Sequence, residues 1–332
     1  MSTGKLKTGV IGVGRMGERH CRVYASLNNV EFVGVSDTSP DRGKAVARIY
    51  DVEFYQDYRD LLSRVEAVSV ATPTDSHLRV AGDCLRRHVH VLLEKPMASN
   101  PVEARELLHL TKRFPVLFQV GHIERFNPVF SELRSVLDEL QVVAVTAKRL
   151  SPFDTSNTEV DVVYDLMVHD IDLVLALLGD DVGSVQAYGR SAMTGSVDYA
   201  VANLRYSNGP LATLMASRVT EQKVRLLEIT AIGAYIEADL LNKSIYIHRR
   251  AVPEYVASTQ KPLRYRQESL IERIHIPTVE PLILELQGFV SSIKEGGEPL
   301  VTAEDGLRAL ELAALVKSQI VPAHQENNVL VA

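Results

Sequence analysis

The chain has 332 residues, of which 46% are hydrophobic and 23% are charged, the balance of a globular rather than a disordered protein. At about one domain per 150 residues, this length predicts two domains. The formal net charge of −6 argues against a nucleic acid or an anionic membrane as the partner, because both reward a basic surface.

The cysteine content is low. Cys21 and Cys84 are the two cysteines, and neither belongs to a CxxC or Cys/His spacing, so neither a disulfide framework nor a structural zinc site is expected. No apolar signal segment opens the sequence, and no run approaches the roughly 20 apolar residues of a membrane span. We therefore expect a protein of the reducing cytoplasm that binds no metal.

Short β-rich runs alternate with helical stretches over residues 1–122. The predicted strands are KTGVIG, EFVGVSD, AVSVAT, HVLLEKP and PVLFQVGH, and the predicted helices are residues 16–27, 41–50, 75–87 and 101–113. Strands that alternate with helices indicate βαβ units and a parallel, doubly wound sheet. This pattern predicts an α/β fold whose N-terminal domain, residues 1–122, is a Rossmann domain.

The pattern changes after Phe126. Helices are predicted near residues 128–140 and 163–178, among the strand-like segments VVAVTAKRL, SVQAYGRS, YAVANLRY, LATLMASR, RLLEITAIG, AYIEADL and SIYIHRR. Short links between strands favour an antiparallel sheet. Residues 123–332 are thus predicted to form an α+β domain for substrate binding and self-association, with a large, mostly antiparallel open sheet. Residues 251–277 are predicted as a loop, and 303–320 as a last helix that either stays with this domain or packs on the first.

A glycine loop, GVGRMG, lies between the first predicted strand and the first helix. In this context Gly12 permits a tight turn, Gly14 allows a pyrophosphate to approach the backbone, and Gly17 allows close packing of helix and strand. Asp37 ends the second predicted strand 20 residues after Gly17, as expected for a carboxylate that binds the ribose hydroxyls. We therefore predict NAD as the cofactor, while Arg42 keeps NADP open.

Two further strands end in polar residues at the edge where α/β sheets bind ligands. The segment HVLLEKP delivers Glu94 and Lys95 there, and a lysine in this place can stabilise an oxyanion, although a surface lysine is the alternative. ATPTDSH ends the preceding strand, and its His77 either lines the cofactor site or packs on its own helix. The predicted cofactor-binding residues are Gly12, Gly14, Arg15, Met16, Gly17, Asp37, Thr72, Pro73, His77, Glu94 and Lys95.

The segment YDLMVHDID carries a histidine and three aspartates within an otherwise apolar helix. On an α-helical wheel, Asp165, His169 and Asp172 share one face. The alternative is a buried helix whose polar groups only satisfy one another. Asp170 points elsewhere, and a buried hydrogen bond or a subunit contact is expected for it.

These motifs, in this order and spacing, resemble those of the Gfo/Idh/MocA family of oxidoreductases. GVGRMG, ATPTDSH, EKP and YDLMVHDID carry the resemblance, which covers nearly the whole chain and includes the terminal segment TAEDGLRALELAALVKS. QVGHIERFNP and DVVYDLMVHDID are similar more particularly to a subgroup that oxidises nucleotide sugars, of the UDP-N-acetylglucosamine 3-dehydrogenase type.

The resemblance implies that Lys95, Asp165 and His169 are the catalytic residues. Histidine is also the side chain best suited to accept an alcohol proton near neutral pH. Met167 stands where the family usually has glycine, which puts the shape of the pocket in question. The expected substrate-binding residues are Lys95, His122, Arg125, Asn127, Arg149, Asp165, His169 and Asp172, with Glu124 and Lys148 as further candidates.

The resemblance also implies the reaction, which is oxidation of the 3-hydroxyl of a UDP-N-acetylhexosamine to a ketone, suited to later transamination in lipopolysaccharide biosynthesis. The alternatives are a dehydrogenase for inositol or a free sugar, and a non-catalytic regulator that binds NAD(P). A broad sheet face favours a homodimer or a homotetramer, and the sequence does not decide between them.

Overall fold

The computed structural model describes residues 4–154, 160–207, 209–250 and 269–320. Within these ranges the chain separates into two units. The first contains the described residues up to Phe126 together with Val279–Ala314. The second contains the described residues of Asn127–Thr278 and those from Leu315 onward. Residues 279–314 thus cluster with the first unit although they follow most of the second in the chain.

The described residues form helices and strands in alternation and then strands in series. The helices are α1 (Arg15–Ser26), α2 (Pro40–Tyr50), α3 (Tyr58–Leu62), α4 (His77–Arg86), α5 (Pro101–Arg113), α6 (Pro128–Leu137), α7 (Val168–Leu178), α8 (Pro281–Glu295) and α9 (Ala303–Gln319). The strands are β1 (Leu6–Ile11), β2 (Val30–Ser36), β3 (Glu53–Tyr55), β4 (Ala67–Val70), β5 (His90–Glu94), β6 (Phe118–Gly121), β7 (Val142–Leu150), β8 (Val182–Arg190), β9 (Tyr199–Tyr206), β10 (Leu211–Ser217), β11 (Val224–Ala231), β12 (Ala234–Asp239), β13 (Ser244–Arg250) and β14 (Ser269–Ile274).

The first unit contains a parallel sheet, which among the described residues has the strand order β3-β2-β1-β4-β5-β6. Its central strands β1, β4 and β5 are buried along nearly their whole length, because both faces of a parallel sheet are covered by helices. On one face α1, α2 and α8 pack on β1, β4 and β5 through an apolar layer that includes Tyr24, Leu92 and Leu286. The predicted Rossmann fold is confirmed, and the strand order reverses between β1 and β4, where such sheets bind ligands.

The second unit contains an open sheet with the order β14-β13-β12-β11-β7-β10-β9-β8 over the described residues. Its neighbouring strands are antiparallel apart from β7 and β10, which pair in parallel. The predicted mostly antiparallel sheet is therefore confirmed. Helix α7 packs on β7 and β10, so this sheet supports the helix that carries His169.

Several elements differ from the prediction. Residues 251–277 were predicted as a loop, but Ser269–Ile274 forms β14 and pairs with β13, while residues 251–268 lie outside the described residues. The short elements β3 and α3 and the long helix α8 were not predicted. The predicted last helix is observed as α9. It begins after Thr302, whose hydroxyl accepts a hydrogen bond from the Asp305 N–H at 3.1 Å, as an N-cap does.

Three further observations bear on the sequence-based expectations. None of the helices in the described part of the chain has the length and apolar character needed to cross a membrane. In the same part, no group of three or more His, Cys, Asp or Glu side chains is placed to hold a metal ion. Cys21 and Cys84 are both buried free thiols.

Candidate active site

The glycine loop has the conformation that a dinucleotide site requires. Gly12 has a φ of +86°, and a Cβ there would lie 2.8 Å from the Ala71 carbonyl oxygen. A Cβ on Gly17 would lie 1.8 Å from the carbonyl oxygen of Gly12, so only glycine allows α1 to start this close to the loop. Around Gly14, at the N-terminus of α1, a Cβ would meet no atom within 4 Å. This open space before a helix N-terminus fits a diphosphate.

Asp37 lies at the end of β2 with its carboxylate held in place by four hydrogen bonds. The backbone N–H groups of Val13 and Ser39 donate to it at 2.9 and 2.8 Å, and Arg42 donates from Nη2 at 2.8 Å and from Nε at 3.1 Å. Burial acts to raise the pKa of Asp37, but the bonds from Arg42, Ser39 and Val13 outweigh it and hold the pKa below its ordinary value. Asp37 is therefore a fixed anion.

A cavity of about 1000 Å³ in the first unit joins these groups. The predicted cofactor residues that line it are Gly12, Gly14, Asp37, Thr72 and Pro73. Arg42, the residue that keeps NADP open as a cofactor, lines the cavity as well and pairs with the Asp37 carboxylate. These residues would hold the adenosine ribose and the diphosphate of NAD. Arg15 and Met16 stand in the first turn of α1 and are absent from this lining.

Replacing Asp37 with asparagine should shift cofactor binding from NADH toward NADPH. The change removes a charge-assisted hydrogen bond to the ribose, worth about 1.5–3 kcal/mol, and releases Arg42 for a 2′-phosphate. We expect the ratio of Kd for NADPH to Kd for NADH to fall by about tenfold or more. Fluorescence titration of both nucleotides measures this ratio without any substrate. Addition of Arg42→Ala to the variant should abolish the gain in NADPH binding, and an unchanged ratio in Asp37→Asn would contradict the assignment.

His77 ties together the two turns that follow β4 and β5. Its Nε2 lies 2.9 Å from the carbonyl oxygen of Thr72, and its Nδ1 lies 3.0 Å from that of Pro96, the residue after Lys95. The side chain is buried, and burial lowers the pKa of His77 despite these two carbonyls. Both ring nitrogens of His77 are thus engaged with backbone carbonyl oxygens of these two turns. Its predicted contact with the cofactor stays a prediction, and its burial argues against it.

Glu94 and Lys95 follow each other at the carboxyl end of β5. The Glu94 carboxylate accepts a hydrogen bond from the Lys95 backbone N–H at 3.3 Å and lies 3.0 Å from Nε2 of His20. Burial acts to raise the pKa of Glu94, but His20, and after it Lys95, hold it below its ordinary value. The turn that starts at Lys95 therefore lies beside a buried anion, the Glu94 carboxylate.

Asp165 and His169 lie in the second unit on the predicted helix, but its first turn is not α-helical. Val163–Met167 is a π-helical turn that carries Asp165, and α7 follows with His169 near its start. A π turn takes more residues per revolution than the 3.6 of an α-helix, so Asp165 and His169, four residues apart, come close to one line. Asp172, three residues further on, is buried. Met167, at the position of the usual glycine, is fully buried too.

Charged groups that the sequence analysis did not identify hold this π turn. Arg218, just after β10, donates to the Val160 carbonyl oxygen and lies 3.9 Å from the Asp165 carboxylate. The Asp161 carboxylate accepts from the Val163 N–H at 2.9 Å and pairs with Lys317 at 2.8 Å. The capping role of Asp161 was readable from its place before the helix. Arg218 and Lys317 are distant in sequence and carry no local signal.

Arg149 and Asp170 form a buried ion pair within the second unit. Arg149 donates from Nη2 to Asp170 at 2.7 Å and from Nε at 2.9 and 3.1 Å, and both side chains are 3% exposed. The buried hydrogen bond expected for Asp170 is confirmed. The prediction that Arg149 binds substrate stays a prediction, and this bidentate pair argues against it, because its guanidinium already has a carboxylate partner.

Of the remaining predicted substrate residues, Arg125 and His122 belong to the first unit, and Asn127 and Lys148 belong to the second. Arg125 pairs with Asp305 at 3.4 Å and its side chain is 9% exposed, and His122 is buried. Asn127 is the N-cap of α6, where its side chain accepts from the Val129 N–H at 3.2 Å and donates to the Leu240 carbonyl oxygen at 3.1 Å. A local structural role thus accounts for Asn127. Lys148, a further candidate, pairs with Glu228 at 2.6 Å.

Comparison with known protein families agrees with this geometry. Residues 6–122 match the model of an oxidoreductase family with an NAD-binding Rossmann fold, and residues 141–234 match the C-terminal domain model of the same family. The chain belongs to the Gfo/Idh/MocA family. It is therefore an oxidoreductase, and its cofactor is NAD.

Individual members of the Gfo/Idh/MocA family match nearly the whole chain. The chain is 31% identical over 312 residues to UDP-N-acetylglucosamine 3-dehydrogenase of Acidithiobacillus ferrooxidans. The aligned region covers 94% of this chain and 96% of that protein. A crystal structure of that enzyme matches with a TM-score of 0.87 over 95% of this chain and 97% of the other. Myo-inositol 2-dehydrogenase of Thermotoga maritima is 26% identical, over 95% and 96% of the two chains. Substrates in this family thus include nucleotide sugars and cyclitols.

Proposed function

We propose that the protein oxidises the 3-hydroxyl of a UDP-N-acetylhexosamine to a ketone, with NAD+ as the oxidant. The observation that carries the proposal is the similarity, at 31% identity over 94% of this chain, to a UDP-N-acetylglucosamine 3-dehydrogenase. The residues that such a reaction needs are also present. They are a lysine directly after β5 and an aspartate and a histidine at the start of the α7 helix.

In the proposed reaction the alcohol loses two hydrogens, one as a hydride and one as a proton, and a different group accepts each. Bound NAD+ supplies the acceptor for the hydride from the carbon. Lys95 donates a hydrogen bond to the reacting oxygen and stabilises its developing negative charge. His169 accepts the hydroxyl proton. Asp165, itself held next to Arg218, orients His169 and favours its protonated form once the proton has moved.

The proposed substrate contacts are fewer than the sequence suggested. Lys95, Asp165 and His169 act on the sugar hydroxyls, and Asp172 and His122 are proposed as neighbouring contacts. Arg125 stays a candidate for the diphosphate because a guanidinium suits that group, although its side chain is 9% exposed and pairs with Asp305. Arg149 and Asn127 are left out, since the Asp170 pair and the α6 cap already account for them.

Two other functions are kept for comparison. A dehydrogenase for inositol or a free sugar is supported by the 26% identity to myo-inositol 2-dehydrogenase. A non-catalytic regulator that binds NAD(P) is disfavoured, because a sensor does not need a lysine, an aspartate and a histidine that can move a proton.

The rate of NADH formation at 340 nm distinguishes these functions. The purified protein is given NAD+ with UDP-N-acetylglucosamine, UDP-N-acetylgalactosamine, myo-inositol or glucose, and a hydrazine traps the ketone because the oxidation is uphill. We expect kcat/KM for a UDP-N-acetylhexosamine to be at least about tenfold above that for the unactivated compounds, because the UDP group adds binding energy. Faster turnover of inositol would replace the proposal with the first alternative. No NADH formation with any of these compounds, despite tight NADH binding, would support the non-catalytic regulator.

A place in metabolism follows from the chemistry of the product. A 3-keto sugar is what a transaminase needs to make an amino sugar, so we propose a role in supplying lipopolysaccharide or another envelope polysaccharide. We also propose a cytoplasmic location, where UDP-sugars are made and where two free thiols stay reduced. Fractionation that recovered the protein outside the cytoplasm would contradict this location.

We further propose a homodimer or a homotetramer formed through the open sheet. Large apolar side chains are exposed on several of its strands, among them Tyr188 on β8, Leu211 on β10 and Ile271 on β14. A partner that covered such side chains would remove apolar surface from water, which supports association through this sheet. Sedimentation velocity measures the state directly, and a monomer at micromolar concentration would refute self-association.

A further inference from the structure

A carboxyl group that the reaction does not use is buried in the first unit. Glu285 lies on α8, on the same side as Leu282, Leu286 and Phe289, which pack into the apolar layer between α8, α1 and the parallel sheet. Its side chain is fully buried, and neither carboxyl oxygen has a hydrogen-bond partner among the described residues. An ionised carboxylate in such a place would cost several kcal/mol, so a proton is the simplest way to remove its charge.

The sheet beneath α8 carries other buried polar groups. On β5 and β6, Leu92 pairs in register with Gln119, and Glu94 with Gly121, so Gln119 and Glu94 point to the face that α1 and α8 cover. The Gln119 amide and Nδ1 of His20 are buried with no partner among the described residues, as Glu285 is. Groups of this kind are where globular proteins hold interior water.

The charges around Glu285 are few. Helix α1 contributes His20, Cys21 and Tyr24, and burial raises the pKa of Cys21 to about 12 and that of Tyr24 further above its ordinary value, so both stay neutral. Strand β5 contributes Glu94, followed by Lys95. The turn Ile123–Phe126 packs on α8 and contributes Glu124 and Arg125, of which Arg125 pairs with Asp305. Among these groups, Glu94 therefore contributes the negative charge that acts on Glu285.

We propose that Glu285 keeps a proton in the folded protein and acts as a positioning residue for Glu94, which stays the one ionised carboxylate of the His20–Glu94–Glu285 cluster. Through interior water, a protonated Glu285 supplies hydrogen bonds that keep His20 on Glu94, and Glu94 in turn fixes the start of the Lys95 turn. This consequence for Lys95 rests on the proposed function. Two carboxyl groups that are enclosed together cannot both ionise at low cost, because their negative charges repel, so one of them keeps a proton.

The direction of the pKa agrees with this geometry. Burial, and after it the negative charge of Glu94, raise the pKa of Glu285 well above 4.5. The unfolded chain releases this proton above about pH 4.5, whereas the folded protein retains it, so folding takes up a proton in that window. The stability that Glu285 contributes is complete at the acid end and is lost as the pH rises toward the folded-state pKa.

The test compares the pH dependence of unfolding in the wild type, Glu285→Gln and Glu285→Leu. Urea denaturation is measured from pH 5 to pH 8, and Glu295→Gln, which changes an exposed carboxylate on the same helix, is the control. We expect the ratio of folded to unfolded wild type to fall, relative to both Glu285 variants, by up to about tenfold per pH unit. Glu295→Gln should keep the wild-type slope. Equal slopes in the wild type and both Glu285 variants would overturn the proposal.

Two further measurements test separately whether Glu285 is protonated and whether it positions Glu94. The infrared difference spectrum of the wild type minus Glu285→Gln at pH 7 should contain the C=O band of a protonated carboxyl, and a carboxylate band in its place would overturn the proposal. Glu285→Leu should shift the ring ¹⁵N NMR resonances of His20 more than Glu285→Gln does, because only glutamine retains hydrogen-bonding atoms that can support the bond between His20 and Glu94. Equal His20 resonances in the two variants, with the expected slope and band, would remove the positioning role and leave the proton. None of these measurements needs a substrate, so they are independent of the proposed function.

Discussion

Replacing Lys95 with alanine should lower kcat by about 10²–10³-fold, the loss that follows removal of one donor to a developing oxyanion. Lys95 follows directly after Glu94 at the end of β5, where its turn is held by the Glu94 carboxylate and by the bond from His77 to Pro96. The variant loses the donor but keeps the glycine loop and Asp37, the residues proposed to bind the other end of the cofactor. We therefore expect the Kd for NADH to stay close to the wild-type value.

The control for this experiment is Lys112→Ala, which removes an exposed lysine on α5 of the same unit. It should leave both kcat and NADH binding unchanged. Lys95→Met tests whether shape alone suffices, and it should be as slow as Lys95→Ala because methionine has no donor. Turnover near the wild-type rate in either Lys95 variant would remove this residue from the reaction.

Replacing His169 with alanine should lower kcat by about 10²–10⁴-fold, the usual contribution of a positioned general base. His169 lies near the start of α7, four residues after Asp165 in the π turn, and a side chain at this separation can orient an imidazole. The acid-side decline in the pH–rate profile of the wild type should disappear in the variant, because that decline reports protonation of the base.

The matched control is His109→Ala, which removes an exposed histidine on α5. It should keep the wild-type pH–rate profile. His169→Asn keeps a polar group that cannot accept the proton in the same way, so it should be slow as well. An acid-side decline that persisted in His169→Ala would assign the base role to another residue.

Much of the cofactor-binding half was predictable from the sequence because its signals are local. The backbone needs of a phosphate turn restrict Gly12 and Gly17 to glycine, and the carboxylate of Asp37 comes at the end of the next strand. The parallel sheet follows from apolar runs that alternate with helices. The ion pair of Asp37 with Arg42 was not evident, although the two residues are only five apart.

Helix α8 was missed although its sequence contains the usual signals. Pro281 stands in its first turn, and Gly296 ends it with a φ of +74°. Its clustering with residues more than 150 positions earlier was not predictable, because no local pattern specifies it. The burial of Glu285 on this helix is likewise set by the fold and not by a local pattern.

The substrate residues were the least predictable part. Arg149 is predicted to bind substrate, and the fold gives it a partner in Asp170, 21 residues away. Asn127 is predicted to bind substrate as well, and the fold places it at the N-cap of α6. The π turn that carries Asp165 could not be read from an α-helical wheel. In each case the deciding partner is set by tertiary packing rather than by spacing.

The most direct test of the proposed reaction is transfer of deuterium from C3 of UDP-[3-²H]-N-acetylglucosamine to NAD+. We expect the NADH formed to carry the label and kcat/KM to fall on deuteration. The matched substrate labelled at C4 should give unlabelled NADH at the undeuterated rate. Turnover of the C3-labelled substrate that gives unlabelled NADH would contradict oxidation at C3.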